Sequence, residues 1–326
     1  MTALAAARAA LPRRRTRRAA PRDLGTLGLL VLLAVVDVAL QPSLLSAGYA
    51  GQEVQVALTV VLVGYAQTLV VLSKGLDLSV SGTLVIGNTL TATWLGTGGD
   101  WGARLVLIAL AGLLLGAVNG VLVACCRIEP LVATLGTWAI YKGLALAILA
   151  EPGGEVPPAL ATAVSSTVAG VPASFVILGL LALSWLALKR SRFGLWLYAT
   201  GSDEDRAALS GVPVKRVRVA AYALSGLLAT LAGVYLAATT QGGDPTLGDG
   251  YLLPSITALV VGGTALAGGR GGVMLTVAGA FCLTFLSDIV AALNLPPHVT
   301  QLTSALLLLV AVGARSVTGS RERGTS

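Results

Sequence analysis

Apolar residues run along this chain in long, nearly unbroken stretches separated by short breaks of glycine, proline and charge. The run LVLIALAGLLLGAVNGVLVACC, Leu105 to Cys126, is continuously apolar. It therefore reads as helix and excludes the alternating segments of about ten residues that build a membrane β-barrel. A bilayer core of about 30 Å needs roughly 20 such residues per helix, and lipid offers no partner to an open backbone amide. Cutting the chain at its polar breaks predicts ten spans, at about 24–40, 54–72, 79–96, 105–126, 130–150, 171–188, 219–240, 251–267, 272–292 and 298–314. The third is rich in Ser, Thr, Asn and Gly, and reads as a broken or re-entrant segment that faces protein rather than lipid. The predicted class is an all-α polytopic membrane protein with a basic tail over 1–23, a membrane domain over 24–314 and a second tail over 315–326.

Composition agrees: 55% hydrophobic residues, 11% charged and a mean hydropathy of +0.84 exceed what a soluble core absorbs. Charge then sets orientation. With the N-terminus inside, the inner segments hold 20 of the 22 basic residues: seven ahead of the first span, Lys74, Arg127, seven from Lys189 to Arg218, Arg270, and three after the last span. This asymmetry predicts that both termini face the cytoplasm. The net charge of +7 raises nucleic acid as a partner, but topology and attraction to anionic membrane lipid account for it, so no nucleic acid is expected. A cleaved signal peptide fits poorly, because Leu24 to Leu40 is longer than a usual signal core and its removal would leave an odd number of spans. The three cysteines, Cys125, Cys126 and Cys282, lie in apolar runs without metal-ligand spacing and are expected as buried thiols.

Catalytic chemistry has little to draw on. A single histidine, His298, leaves no material for a Ser-His-Asp triad or a multi-histidine metal site, so no enzyme is expected. The run GGTALAGGRGG, Gly262 to Gly272, imitates a phosphate loop but lacks its Lys-Ser/Thr and a preceding strand. Its glycines, like the tandem Gly112-x-x-x-Gly116-x-x-x-Gly120, predict close backbone packing and a tight turn. The inner loop over 189–218 is more informative. In it Gly201-Ser202-Asp203-Glu204-Asp205 places a turn, a cap and three acids ahead of RAALSG, predicting a short helix that stops at Gly211 and Pro213. Ser202 is the expected cap.

Two further features carry chemistry. In VVLSKGLDLSVSGTLVIGN, Val70 to Asn88, Lys74 and Asp77 stand at the inner end of the second span. One reading has the broken segment line a solute path, offering Asp77, Ser79, Ser81, Thr83 and Asn88 to a polyhydroxylated molecule. The other makes it a structural inner loop capped at Asp77 or Ser79. Lys142 in WAIYKGLALA would cost about 2.5–3.5 kcal/mol at the centre of an isolated helix, so it is expected to face protein or a wet path. An ion-coupled secondary transporter using Asp37, Asp288 and Lys142 is the competing class.

Four stretches resemble one family, the permease subunits of bacterial ABC importers for ribose, xylose, related monosaccharides and autoinducer. KGLDLSVSG is similar to its Gly-Gly-Ile/Leu-Asp-Leu-Ser-Val-Gly-Ser segment, and LVATLGTWAIYKGLALAI to its Thr-Leu-Gly-Thr helix. YATGSDEDRAALSGVPV resembles its ATPase-contacting segment, and ITALVVGGTALAGGRGGV its Gly-Gly-Thr-Ser-Leu-x-Gly-Gly-Arg-Gly segment. Ser81-Gly82 reverses the usual order, Lys74 replaces the first glycine, Ser202 and Asp203 replace Gly-Asn, Arg206 replaces an alanine, and Asp288 falls near a usual asparagine. The resemblance implies a multi-pass protein of the bacterial plasma (inner) membrane that imports a ribose-, xylose- or rhamnose-like sugar. It implies cytoplasmic ATP-binding subunits, an extracytoplasmic sugar-binding protein and a second permease copy or paralogue, with no cofactor on this chain because the partner binds ATP. Asp77, Ser79, Ser81, Asn88, Lys142 and Asp288 become the expected solute path. Gly201, Ser202, Asp203, Glu204, Arg206, Ala207, Leu209 and Gly211 become the expected ATPase contact. Permeases for branched-chain amino acids or nucleosides are the neighbouring alternative.

Overall fold

The computed structural model describes residues 21–42, 46–96 and 100–323, so most of the basic tail and the last three residues lie outside it. The described residues form helices α1 (Pro21–Leu40), α2 (Ala47–Leu72), α3 (Val80–Leu90), α4 (Trp101–Ala124), α5 (Pro130–Ile148), α6 (Pro158–Ser165) and α7 (Ala173–Arg190). These are followed by α8 (Arg192–Ser202), α9 (Glu204–Leu209), α10 (Val214–Thr240), α11 (Asp249–Val261), α12 (Val273–Ala292) and α13 (Pro297–Arg323). Among them α2, α4, α5, α7, α10 and α12 are long and apolar enough to cross a membrane, and α1, α11 and α13 contain shorter apolar helices. The chain is an all-α membrane protein.

Helix α10 is the axis, packed against α4, α3 and α2. The glycine tandem explains how α4 comes so close: a Cβ on Gly116 would lie 2.1 Å from the Tyr222 carbonyl oxygen, and one on Gly226 2.2 Å from that of Gly112. Two backbones thus touch where lipid supplies no hydrophobic drive and only close packing holds helices together. Helix α3 sits inside this frame, with ten of its eleven residues buried, and a π-helical turn, Thr91–Leu95, ends it. Its hydroxyls bond to carbonyls one turn back, Thr83 to Ser79 at 3.0 Å, Thr89 to Val85 at 3.0 Å and Thr91 to Gly87 at 2.7 Å. A polar helix is thereby made tolerable in a dry interior. This is the protein-facing third segment that its composition predicts.

Other expectations need correcting. The eighth predicted span stops at Val261 rather than 267, because the glycines that follow leave helical geometry; Gly263 and Gly269, for example, have φ of 92° and 68°. The predicted loop after α5 holds α6 and a small hairpin, β1 (Thr167–Val168) antiparallel to β2 (Val171–Pro172). Cys282 is buried as expected, but Cys125 and Cys126 are exposed, since α4 ends at Ala124 and the chain there leaves the packing.

Connections segregate to two ends. At one, Gly269 N donates to Leu72 O at 3.1 Å and Arg218 Nε to Ser73 O at 3.4 Å. A cavity of about 530 Å³ there is bordered by Lys74, Arg127, Glu129, Glu204, Lys215 and Arg218. At the other, Gly153 and Gly243 exchange backbone hydrogen bonds of 2.9 and 2.8 Å, Glu155 N donates to Ala92 O at 2.8 Å, and Ser174 Oγ donates to Gly51 O at 2.9 Å. The first is called the basic end below.

Candidate functional site

The connector between α2 and α3 carries the most concentrated polar chemistry. Ser73 caps α2, and the chain then turns through Lys74 at φ 66° into Asp77, which is 1% exposed. Asp77 Oδ1 accepts from Ser79 N at 3.0 Å and Ser79 Oγ at 2.6 Å, and Oδ2 accepts from Ser225 Oγ of α10 at 3.1 Å. Asn119 of α4 donates to Ser79 Oγ at 2.6 Å and accepts from Thr137 Oγ1 of α5 at 2.7 Å. Tyr222 OH of α10 donates to Leu76 O at 3.2 Å, and Leu78 N donates to Thr134 Oγ1 of α5 at 3.1 Å. Burial pushes the Asp77 carboxyl above the ordinary aspartate range, while the bonds from Ser79 and Ser225 pull it down. One connector is thus fastened to α4, α5 and α10 at once.

At its far end α3 is fastened again. Asn88, fully buried, accepts from Asp244 N at 2.7 Å and reaches Gly233 O at 3.5 Å. Ser81 is also fully buried and, among the described residues, reaches Leu78 O at 3.5 Å. Lys142 of α5 pairs with Asp249 at the start of α11 and lies 5.3 Å from the Trp138 ring centroid. Asp288 of α12 takes no part in these contacts and interacts instead with Glu53 of α2 and Asp37 of α1.

At the basic end lie α8 and α9. The cap of α9 is Asp203, which accepts from Arg206 N at 3.0 Å and pairs with Arg206 Nε at 2.9 Å. Ser202 is not the cap: its hydroxyl donates to Tyr198 O at 2.8 Å, closing the end of α8. Leu209 is 89% exposed, whereas Ala207 is buried against the protein. Gly201 lies so close to α2 that a Cβ would fall 1.8 Å from Leu72 O.

Residues 52–312 match the family model described as branched-chain amino acid transport system / permease component. The chain belongs to this permease family. It is 32% identical over 297 residues to the ribose import permease of Escherichia coli K12, covering 88% of this chain and 91% of that one. It is 34% identical over 264 residues to the fructose import permease of Rhizobium meliloti, covering 77% and 73%. It is 28% identical over 309 residues to an autoinducer 2 import permease of Escherichia coli, covering 92% and 94%. No solved structure matches the chain. The permease family implies an ATP-binding subunit and a substrate-binding protein as partners, and it is a transport rather than a catalytic family.

Within the permease, the structure brings Asp77 and Ser79 together, and sets Ser81 and Asn88 farther along the same buried segment. Sequence reasoning missed the partners that make this a centre: Asn119, Thr137, Tyr222 and Ser225. The lone asparagine in GAVNGVLV was the available signal, because an amide amid apolar residues must be paired within the protein.

Proposed function

We propose that this permease forms the membrane pathway of an ATP-driven monosaccharide importer in a bacterial plasma (inner) membrane, with ribose- or fructose-like sugars as its solutes. The carrying observation is similarity over most of the chain to ribose and fructose import permeases, joined to the short helix α9, whose Leu209 is exposed, at the basic end. The family model's own description includes branched-chain amino acids, but the sugar and autoinducer importers above favour a sugar. Ten spans with both termini cytoplasmic are part of this reading, and six long apolar helices, three shorter ones and the buried α3 support the count. The segregation of the loops supports the same orientation, because Lys74, Arg127 and Lys215 share one cavity. The membrane domain spans 24–314, with the loop over 189–218 facing the cytoplasm.

In this reading α8 and α9 dock on the ATP-binding subunit. Leu209 supplies the apolar contact, Asp203, Glu204 and Arg206 the charged rim, and Gly201, Ser202, Ala207 and Gly211 the turns and packing that present them. Asp77, Ser79, Ser81 and Asn88 hold α3 beside the solute path, and Lys142 stands near its outer mouth. Two permeases, this chain with a copy or a paralogue, enclose the path within anionic lipid.

The test is uptake of radiolabelled ribose, xylose and fructose into vesicles holding the permease, its ATP-binding subunit and its binding protein. ATP-dependent accumulation of at least one sugar is expected, and none for any of the three sinks the reading. Leu209→Glu places a charge in the docking contact and is expected to lower co-purifying ATP-binding subunit about tenfold, the effect of roughly 1.4 kcal/mol. Undiminished co-purification would move the docking surface elsewhere.

A further inference from the structure

One face of α10 holds the connector ahead of α3 at three successive points. Arg218 Nε donates to Ser73 O at 3.4 Å, Tyr222 OH to Leu76 O at 3.2 Å, and Ser225 Oγ to Asp77 Oδ2 at 3.1 Å. Residues four and then three apart share a helix face, so the three form a row that the connector follows. Only the first of them also reaches α9: Arg218 Nη1 and Nη2 donate to Glu204 Oε1 and Oε2 at 3.0 and 2.7 Å, a two-pronged pair. The Arg218 side chain is 17% exposed, and its planar fork fixes direction as well as distance.

The surroundings leave little slack. The end of α8 lies against the end of α2 at Gly201, and the glycine turn is wedged between them: a Cβ on Gly269, at φ 68°, would meet Ser202 Oγ at 2.4 Å. A displacement of α8 and α9 must therefore pass into the last turn of α2 and the connector, because packed backbones do not compress.

We propose that Arg218 is the positioning residue through which movement of α9 reaches the Asp77 centre and shifts α3. The proposal rests on the reading that α8 and α9 dock on an ATP-binding subunit, and gives that docking its route inward. Pulling Glu204 turns the guanidinium, which bears on Ser73 O. The connector then moves as one piece with Tyr222 and Ser225, and α3 carries the change to Asn88 and the loop around Asp244, which Asn88 holds at 2.7 Å.

The experiment uses the permease co-purified with its ATP-binding subunit, with Cys125, Cys126 and Cys282 replaced by serine and a reporter at Leu247→Cys in the loop after α10. Labelling by a membrane-impermeant maleimide is timed with and without MgATP and vanadate. The parent is expected to label at a nucleotide-dependent rate. Arg218→Gln is expected to bind the ATP-binding subunit and hydrolyse ATP while its nucleotide response falls about tenfold. Arg218→Lys, whose ammonium can still donate to both Glu204 and Ser73 O, is expected to regain most of the response even where it unfolds at as low a temperature as Arg218→Gln, which a merely stabilising arginine would not predict. A parental response in Arg218→Gln, or no recovery in Arg218→Lys, overturns the proposal alone. No nucleotide response in the parent overturns the docking reading with it. Should Arg218→Gln fail to accumulate, Glu204→Gln, which weakens the same pair, is expected to lose the response per bound ATP-binding subunit, and an undiminished response overturns the proposal.

Discussion

At the basic end the Asp77 centre pairs each of its polar side-chain groups inside the protein. At the opposite end the loops meet through backbone amides, single side-chain bonds from Ser174 to Gly51 O and from Asp244 N to Asn88, and a half-exposed ion pair, with no side-chain network among the described residues. Asp77, Ser79, Asn119, Thr137 and Ser225 form a closed set in which both carboxylate oxygens and both ends of the amide are used. Across the molecule, Gly153 and Gly243 bridge backbone to backbone, and Lys142 and Asp249 have side chains 30% and 49% exposed. A satisfied buried network fixes one arrangement, because each member lost leaves another unpaired in a low dielectric. Contacts open to solvent break and re-form at little cost. On the proposed docking, force would arrive at the basic end, and this contrast would give the permease a stiff lever there and a looser closure at the other end.

The sharpest way to break this contrast is at its centre. Asp77→Ala leaves the Ser79 and Ser225 hydroxyls without their acceptor and is expected to destabilise the purified permease by about 3 kcal/mol. Asp77→Asn keeps an acceptor for Ser79 and lets the Ser225 hydroxyl rotate to accept, so it should cost only about 1 kcal/mol. Thermal unfolding in detergent measures both. An alanine variant as stable as the parent would mean that the connector is held by packing, and the stiff end would lose its basis.

A smaller effect of opposite sign sharpens the same end. Lys74 occupies a left-handed position, φ 66°, where its N–H donates to Val71 O at 2.9 Å and Gly75 N to Val70 O at 3.1 Å, closing the last turn of α2. A side chain with a Cβ is strained there, and the family resemblance places glycine at this position. Lys74→Gly is therefore expected to stabilise the permease by about 1 kcal/mol. Destabilisation on the same unfolding curve would show that the ammonium group contributes more than the turn costs.

What was legible in the sequence follows from the length of the signal. Each predicted span overlaps a helix, because long apolar runs override local detail, but the third and eighth run past their α-helices; the buried character of α3 could be read from its hydroxyls and glycines. The cap of α9 was misplaced by one residue: Ser202 and Asp203 are both good caps, and only the fold shows the Ser202 hydroxyl spent on Tyr198 O. Asn119, Ser225 and Arg218 went unassigned because their meaning is a meeting across α4, α10 and the connector, 40 or more positions away in the chain, which periodicity along one helix does not encode. Lys142 was noticed through the cost of its charge, but Asp249, 107 positions on, was not.

That pair gives the finest test of the contrast. The cost of placing Lys142 at the centre of a bare helix overstates its role, because its side chain is only partly buried and Asp249 is nearly half exposed. Exposed ion pairs contribute about 0–1 kcal/mol and weaken with salt, and the Trp138 ring at 5.3 Å adds a similarly modest attraction. Lys142→Ala is therefore expected to cost about 0.5 kcal/mol in dilute buffer, and less in salt. Asp249 would be left half-exposed rather than enclosed by protein, unlike the hydroxyls around Asp77. The measurement is thermal unfolding of parent and variant at low and high ionic strength. A loss as large as that of Asp77→Ala, unchanged by salt, would mean that the pair is desolvated in the membrane and that the opposite end is clamped as firmly as the basic one.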